Sequence, residues 1–500
     1  MAKEIPTTSM SAKEERAGVL AALQIKPGEL KRTGLLFLYL FLASVIFTTG
    51  RTARDALFLS NYPIDWLPYM FVGFGAGSAA IMPLYAWLVD RYRRDRFNAI
   101  YALVLSATYV AAWLLVTFKW RPIYPILYIW VEITSNLLIV QFWTLANDLH
   151  DPREAKRLFG VIGSSRMIGI VVCGLSVGAV VGMIGTPALL LGNAIFLVGL
   201  AAVVALIGRN FLSGPQVAKV VSARTDSIAG ASLWRSSYVL LIIAMIVATF
   251  VAATLGDYQF KAIAREHYTG EKLAAFFALF YSLVGALAFF FHFFVSSRLL
   301  ARFGLLFGLM VMPALMGLSS IALLITAGAV AAAVALKLSD NAFQFTINDS
   351  ALQLLYYPFP ARLKARLKAT LEGAVKPLSY GAGGLILAFL ATPLGAVGLS
   401  WVTLPFIGVW IVTLVFLRTQ YLKALINSLA GKRMDPGGID LMPTPEVVEA
   451  LKDATHSDNN FVFQFAFDEL TKLAPDEAQR LAVDLLPKPE RKKAALKRLA

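Results

Sequence analysis

The chain has one cysteine, Cys173, in 500 residues, so no disulfide can join two of its parts. Charge is equally scarce. Asp, Glu, Lys and Arg make up 15% of the residues while 58% are hydrophobic, and the mean hydropathy is +0.67. These values lie outside the range of water-soluble domains and indicate an integral membrane protein. There is no P-loop, no HExxH and no metal-spaced Cys/His cluster, and His150, His267, His292 and His456 are scattered. An enzyme, ATP hydrolysis, a metal site or a bound cofactor is therefore not expected. Acidic residues are outnumbered, 31 against 46 basic ones. The excess lacks the aromatic interleaving of a nucleic-acid groove, and membrane topology explains it better. The first residues also lack the short apolar core and cleavage site of a signal peptide.

Long apolar runs are abundant. Windows long enough to cross a bilayer fall at 35–59, 67–89, 98–118, 123–147, 160–184, 187–208, 238–262, 273–297, 303–326, 328–351, 370–392 and 396–418. Basic residues concentrate after the even-numbered spans, for example Arg91, Arg93, Arg94 and Arg96, then Arg153, Lys156 and Arg157, and later Arg362, Lys364, Arg366 and Lys368. The positive-inside rule then places both termini in the cytoplasm.

Residues 209–237 form a Gly-, Ser- and Pro-rich connection. It separates a six-helix half at 35–208 from a second at 238–420, with a cytoplasmic segment at 1–34 and a tail at 421–500. The halves resemble each other. Gly50 matches Gly256, Asn147 and Asn348 lie 201 apart, and Gly163/Gly373 and Arg166/Lys376 lie 210 apart. A parallel repeat of six spans is the pattern of a major facilitator-type transporter. The expected fold is all-α, with twelve transmembrane helices in a 6+6 pseudo-repeat. Gly174, Gly178 and Gly182, and Gly381, Gly383 and Gly384, permit close helix approach. The tail has apolar residues at helical spacing and turn signals at Asp458 to Asn460 and at Ala474-Pro475. It reads as two or three short helices, either a helical-repeat module that binds a protein partner or a basic segment touching anionic lipid.

Ionisable residues inside a span cost roughly 2.5–3.5 kcal/mol each on insertion scales, so they mark pathways or pairs. Arg51, Arg54 and Asp55 share one helix face, and Asp257 and Lys261 share another. Aligning Gly50 with Gly256 sets Arg51 opposite Asp257 and Asp55 opposite Lys261, with inverted signs. They are candidates for ion pairs across the halves that gate the outer end of a cavity, the alternative being separate pairs within each helix. Arg166 and Lys376 align with like sign, as expected of a clamp on an anionic substrate; the alternative is that Arg166 reaches out to the interface. Arg54 and Lys337 are further candidate anion ligands, with Glu132, Asn136 and Gln141 orienting a polar ring or ribose.

At "GRTARDALFLSNYPIDWLPYMFVG", "GDYQFKAIARE" and "LANDLHDPREAKRLFGVIGSSRMIG" the chain resembles the ATP/ADP translocase family, over residues 30 to about 425. The resemblance implies twelve helices, nucleotide exchange or import, and substrate-binding charges at positions that look like Arg54-Asp55, Glu132 and Lys376. It departs in the eighth span, where the carriers' acidic residue is replaced by His292. The expected function is therefore secondary transport of an organic, nucleotide-like anion by alternating access. A proton-coupled carrier of another anion and a membrane sensor with a transporter fold are the competing readings.

Overall fold

The computed structural model describes residues 26–150, 152–212, 236–291, 296–344, 361–430, 445–456 and 460–485, with 294, 348, 352, 355, 356, 358 and 359. Among them every regular element is a helix. In chain order these are α1 (Leu30–Asn61), α2 (Leu67–Arg91), α3 (Arg94–Thr117), α4 (Ile123–Leu149), α5 (Pro152–Ile184), α6 (Ala188–Phe211), α7 (Ser237–His267), α8 (Gly270–Phe290), α9 (Ser296–Ile325) and α10 (Val330–Phe343). There follow α11 (Ala361–Thr370), α12 (Lys376–Gly398), α13 (Ser400–Ala430), and in the tail α14 (Pro445–Ala454), α15 (Asn460–Leu473) and α16 (Pro475–Leu485). Among the described residues, eleven helical stretches are long and apolar enough to span a bilayer. The expected tenth span is described chiefly as the 14 residues of α10. Most of the 209–237 connection, residues 1–25 and His292 lie outside the described residues. The chain is an all-α, multi-pass membrane protein.

Two prolines mark where helices begin. Pro68 occupies the first turn of α2, and Pro475 opens α16, at the turn signal already present in the sequence. A helix start tolerates proline because its missing N–H has no intrahelical acceptor there. Large apolar side chains such as Ile195, Phe389 and Trp401 are mostly exposed, the arrangement expected where hydrocarbon is the solvent.

Two compact units emerge. One gathers residues 1–66, 80–222 and 264–289, and the other 67–79, 223–263 and 290–500. In the first, α1 packs against α4, α5 and α6, and α3 against α6. Arg157 donates to Glu29 at 2.6 Å and Arg32 to Glu154 at 2.8 Å, tying the start of α1 to α5. Arg157 holds the Glu29 carboxyl below its ordinary value. That tie is complete above the ordinary carboxylate range and is lost as pH falls through the lowered value. In the second unit α9 packs against α10 and α13, and the tail is docked through α14, which meets both α9 and α13.

Each unit contains a crossing at which a glycine brings two helices into backbone contact, and the two correspond. A Cβ on Gly174 of α5 would lie 2.7 Å from the Ala278 carbonyl oxygen and 2.5 Å from Ser282 Cβ, both on α8. One on Gly384 of α12 would lie 2.7 Å from the Pro68 carbonyl oxygen and 2.9 Å from Phe71 Cβ, both on α2. Gly174 and Gly384 lie 210 residues apart, as do Pro68 and Ala278, and Val72 and Ser282. The two crossings are thus copies of one contact, on the same register as Arg166 and Lys376. Because backbone cannot yield to a methyl group, Gly174→Ala and Gly384→Ala are each expected to cost about 1–3 kcal/mol. Gly178, one turn on, faces open space within 4 Å, so Gly178→Ala should leave the melting temperature in detergent unchanged or slightly raised. Equal melting of all three variants would show that these crossings do not depend on glycine.

Candidate functional site

The charged stretches occupy the two spans with the largest buried share, 61% for α1 and 72% for α7. They therefore point into protein rather than lipid, the only place where such charges are affordable.

In the first unit Arg54 is 3% exposed and Asp55 fully buried. The Arg54 guanidinium meets Asp55 Oδ1 at 3.2 Å and Glu132 Oε2 of α4 at 2.5 Å. It also donates to the Tyr128 carbonyl at 3.2 Å and lies over the Tyr128 ring, 4.3 Å from its centroid. Tyr281 Oη donates to Asp55 Oδ2 at 3.1 Å, and the Arg51 guanidinium lies 5.2 Å from the Tyr281 ring centroid. One guanidinium is thus shared between two carboxylates, a use that suits its forked, planar donors. Glu132 is the more accessible carboxylate, 18% exposed at its side chain. Asn136, one turn on, is exposed and donates to the Glu132 carbonyl at 2.7 Å and to Oε1 at 3.4 Å. Gln141 is 1% exposed, and neither atom of its amide has a hydrogen-bond partner among the described residues. Arg166 is half-buried on α5.

The second unit holds a balanced quartet. Asp257 of α7 takes Lys261 on one oxygen at 2.8 Å and Lys337 of α10 on the other at 2.9 Å. Lys337 also meets Asp340 at 2.6 Å. Lys261 is fully buried, and its ammonium lies 5.8 Å from the centroid of Phe71. Two cations and two anions leave the quartet without net charge. Asn136 and Lys337 lie 201 residues apart, matched in the repeat, and each sits beside a carboxylate in the fourth span of its half.

Lys376 stands where α12 begins. The turn before it, Leu371–Val375, is a π-helix. Its cause is Pro377, whose ring excludes the carbonyl four residues earlier and which offers no N–H, so the helix opens by one residue. The Lys376 ammonium lies 5.4 Å from the Phe250 ring centroid.

Of the residues singled out in the sequence, the structure brings Arg54, Asp55, Glu132 and Asn136 together in one unit, and Asp257, Lys261 and Lys337 in the other. Tyr128, Tyr281 and Phe71 take part without having been assigned a role. Tyr128 carried one signal, its place a turn before Glu132. Asp340 was likewise unassigned, although it lies three residues after Lys337.

Residues 99–338 match the TLC ATP/ADP transporter family, a range that contains Glu132, Asn136, Arg166, Asp257, Lys261 and Lys337. The chain is 23% identical over 337 residues to ADP,ATP carrier protein 1 of Chlamydia pneumoniae, covering 58% of this chain and 65% of that protein. It is 22% identical over 482 residues to ADP,ATP carrier protein 1 of Chlamydia muridarum, covering 79% and 89%. Among solved structures, a mutant of the nucleoside transporter NupG superposes with a TM-score of 0.60 at 13% identity, covering 77% of this chain and 99% of that one. The xylose transporter XylE from E. coli superposes at 0.56 and 13%, covering 78% and 95%. The fold is that of the major facilitator transporters, and the chain is an ATP/ADP translocase-like membrane protein, similar to the TLC ATP/ADP transporter family over residues 99–338.

Proposed function

We propose that the protein is a secondary transporter of a nucleotide-like organic anion, working by exchange and alternating access in a bacterial inner membrane with both termini cytoplasmic. The observation that carries this reading is the placement of two buried ion networks on the innermost spans of a chain similar to ADP,ATP carriers. Neither network is left with net positive charge, so an anion binds Arg54 by displacing Glu132, the carboxylate with access to water. Arg166 and Lys376 clamp the substrate, Lys337 contributes when the quartet opens, and Asn136 orients a polar group. The pairs of Arg51 with Asp257 and of Asp55 with Lys261 belong to this proposal as the gate. If combining charge reversal at Arg51 and Asp257 rescued neither single variant, that gate would be wrong.

The transport test is uptake of labelled ADP into proteoliposomes. Exchange requires counter-nucleotide trapped inside and is indifferent to a proton gradient. A second reading, proton-coupled carriage of another anion, is favoured by Asp257, a buried carboxylate held between two lysines; uptake that follows the gradient without counter-nucleotide would select it. The docked tail supports a regulatory role, since Arg418 of α13 lies 3.7 Å from Glu449 of α14. Truncation after residue 430 should change transport rate with expression intact. Unchanged transport with loss of a signalling output would instead favour the sensor.

A further inference from the structure

The second unit carries an aromatic cluster beside Lys376 that the ion networks do not use. Tyr380, one turn after Lys376 on α12, lies 5.1 Å from Phe250 of α7 between ring centroids, with planes tilted by 51°. On its other side it meets Phe74 of α2 edge to face, at 5.6 Å and 79°. Three helices thus bring three rings together, and the Lys376 ammonium lies over one of them, Phe250. Phe250 is 7% exposed, whereas Phe74, Tyr380 and Lys376 are only partly buried. Phe250 also lies on the face of α7 that carries Asp257, seven residues or about 10 Å further along the helix.

The internal repeat separates scaffold from specialisation. Features that serve the fold occur twice, as the two glycine crossings do. The cation occurs twice as well, Lys376 matching Arg166. The rings do not. Phe74 and Tyr380 match Val284 and Ile170, each 210 residues away, and Phe250 matches Ser44, 206 residues away. Ser44 turns its hydroxyl to the Leu40 carbonyl and offers no surface for stacking. A duplicated cation suits an anionic group, while an unduplicated set of rings suits a substrate with one planar end.

We infer that Phe74, Phe250 and Tyr380 form the subsite for the planar ring of the substrate, with Lys376 holding the adjoining anionic group. The inference rests on the proposed transport of a nucleotide-like anion and adds which unit receives the ring. Stacking on aromatic side chains is tolerant of ring identity because every base has a π-face. The subsite therefore predicts little discrimination among purines and strong discrimination against anions without a ring.

The test compares binding of ADP and of pyrophosphate to the full-length protein in detergent. Wild type should bind ADP at least tenfold more tightly than pyrophosphate. Tyr380→Leu and Phe74→Leu, on separate helices, should each weaken ADP roughly tenfold or more while changing pyrophosphate less than twofold. Tyr380→Phe, which keeps the ring, should retain ADP affinity within about threefold and shows that the position tolerates change. Lys376→Gln should weaken both probes. A parallel loss of ADP and pyrophosphate in the leucine variants, or no loss of either, would overturn the ring subsite while leaving anion transport intact. Failure of wild type to bind either probe would overturn the transport reading, and the subsite with it.

Discussion

Lys337→Met should be among the most damaging single substitutions in the second unit. It removes the ammonium that joins Asp257 to Asp340 and leaves the quartet with one positive and two negative groups. Breaking a buried ion pair by deleting one partner costs about 3–5 kcal/mol, because the remaining charge has neither water nor partner. Asp340→Asn should cost less, since Lys337 keeps Asp257 at 2.9 Å. The informative variant combines them. Lys337→Met with Asp340→Asn restores neutrality around the Asp257–Lys261 pair, so its melting temperature should lie well above that of Lys337→Met alone. The coupling should be about 1.5–3 kcal/mol. Transport separates the two roles of Lys337. If it binds the anion, the double variant will be stable and inactive. If it serves only as a brace, stability and transport will return together, and Lys337 leaves the set of proposed substrate ligands.

The fold was legible because bilayer thickness acts on every span alike. A run such as 187–208 needs no knowledge of its neighbours to be read as a crossing, and α6 covers Ala188–Phe211. The turn at Pro475 was equally local. The repeat was visible as well, since Gly163 and Gly373 keep the spacing of Arg166 and Lys376 even at low overall similarity. What could not be read was adjacency. Repeat alignment shows which positions are equivalent, whereas an ion pair depends on the rotation of two helices about their axes and on rotamers that no spacing encodes. Arg54 illustrates the limit. Its neighbour Asp55 was evident, but Glu132 lies 78 residues away on α4 and could be suspected only as another charge in need of a partner. Aromatic partners were harder still. In a chain with 34 phenylalanines and 17 tyrosines, nothing in the sequence marks Tyr128, Tyr281 or Phe71 as neighbours of a cation.

Arg54→Gln should match Lys337→Met in severity, and its effect should fall unequally on the two carboxylates it leaves behind. Glu132 has access to water and the Asn136 amide, whereas Asp55 is fully buried and keeps the Tyr281 hydroxyl at 3.1 Å. Most of the expected loss, about 3–5 kcal/mol, is therefore the cost of Asp55. Glu132→Gln is the counterpart with the opposite sign for binding. Arg54 keeps Asp55, so stability should fall by no more than about 1 kcal/mol, the value of an ordinary hydrogen bond. The substituted amide no longer competes with an incoming anion for the guanidinium, so pyrophosphate should bind more tightly to Glu132→Gln than to wild type, by several-fold. The same change should slow exchange, because Glu132 would no longer expel the anion when it returns to Arg54. Weaker pyrophosphate binding in Glu132→Gln would show that the carboxylate holds Arg54 in place for the substrate rather than standing in for it, and displacement would no longer describe how the anion enters.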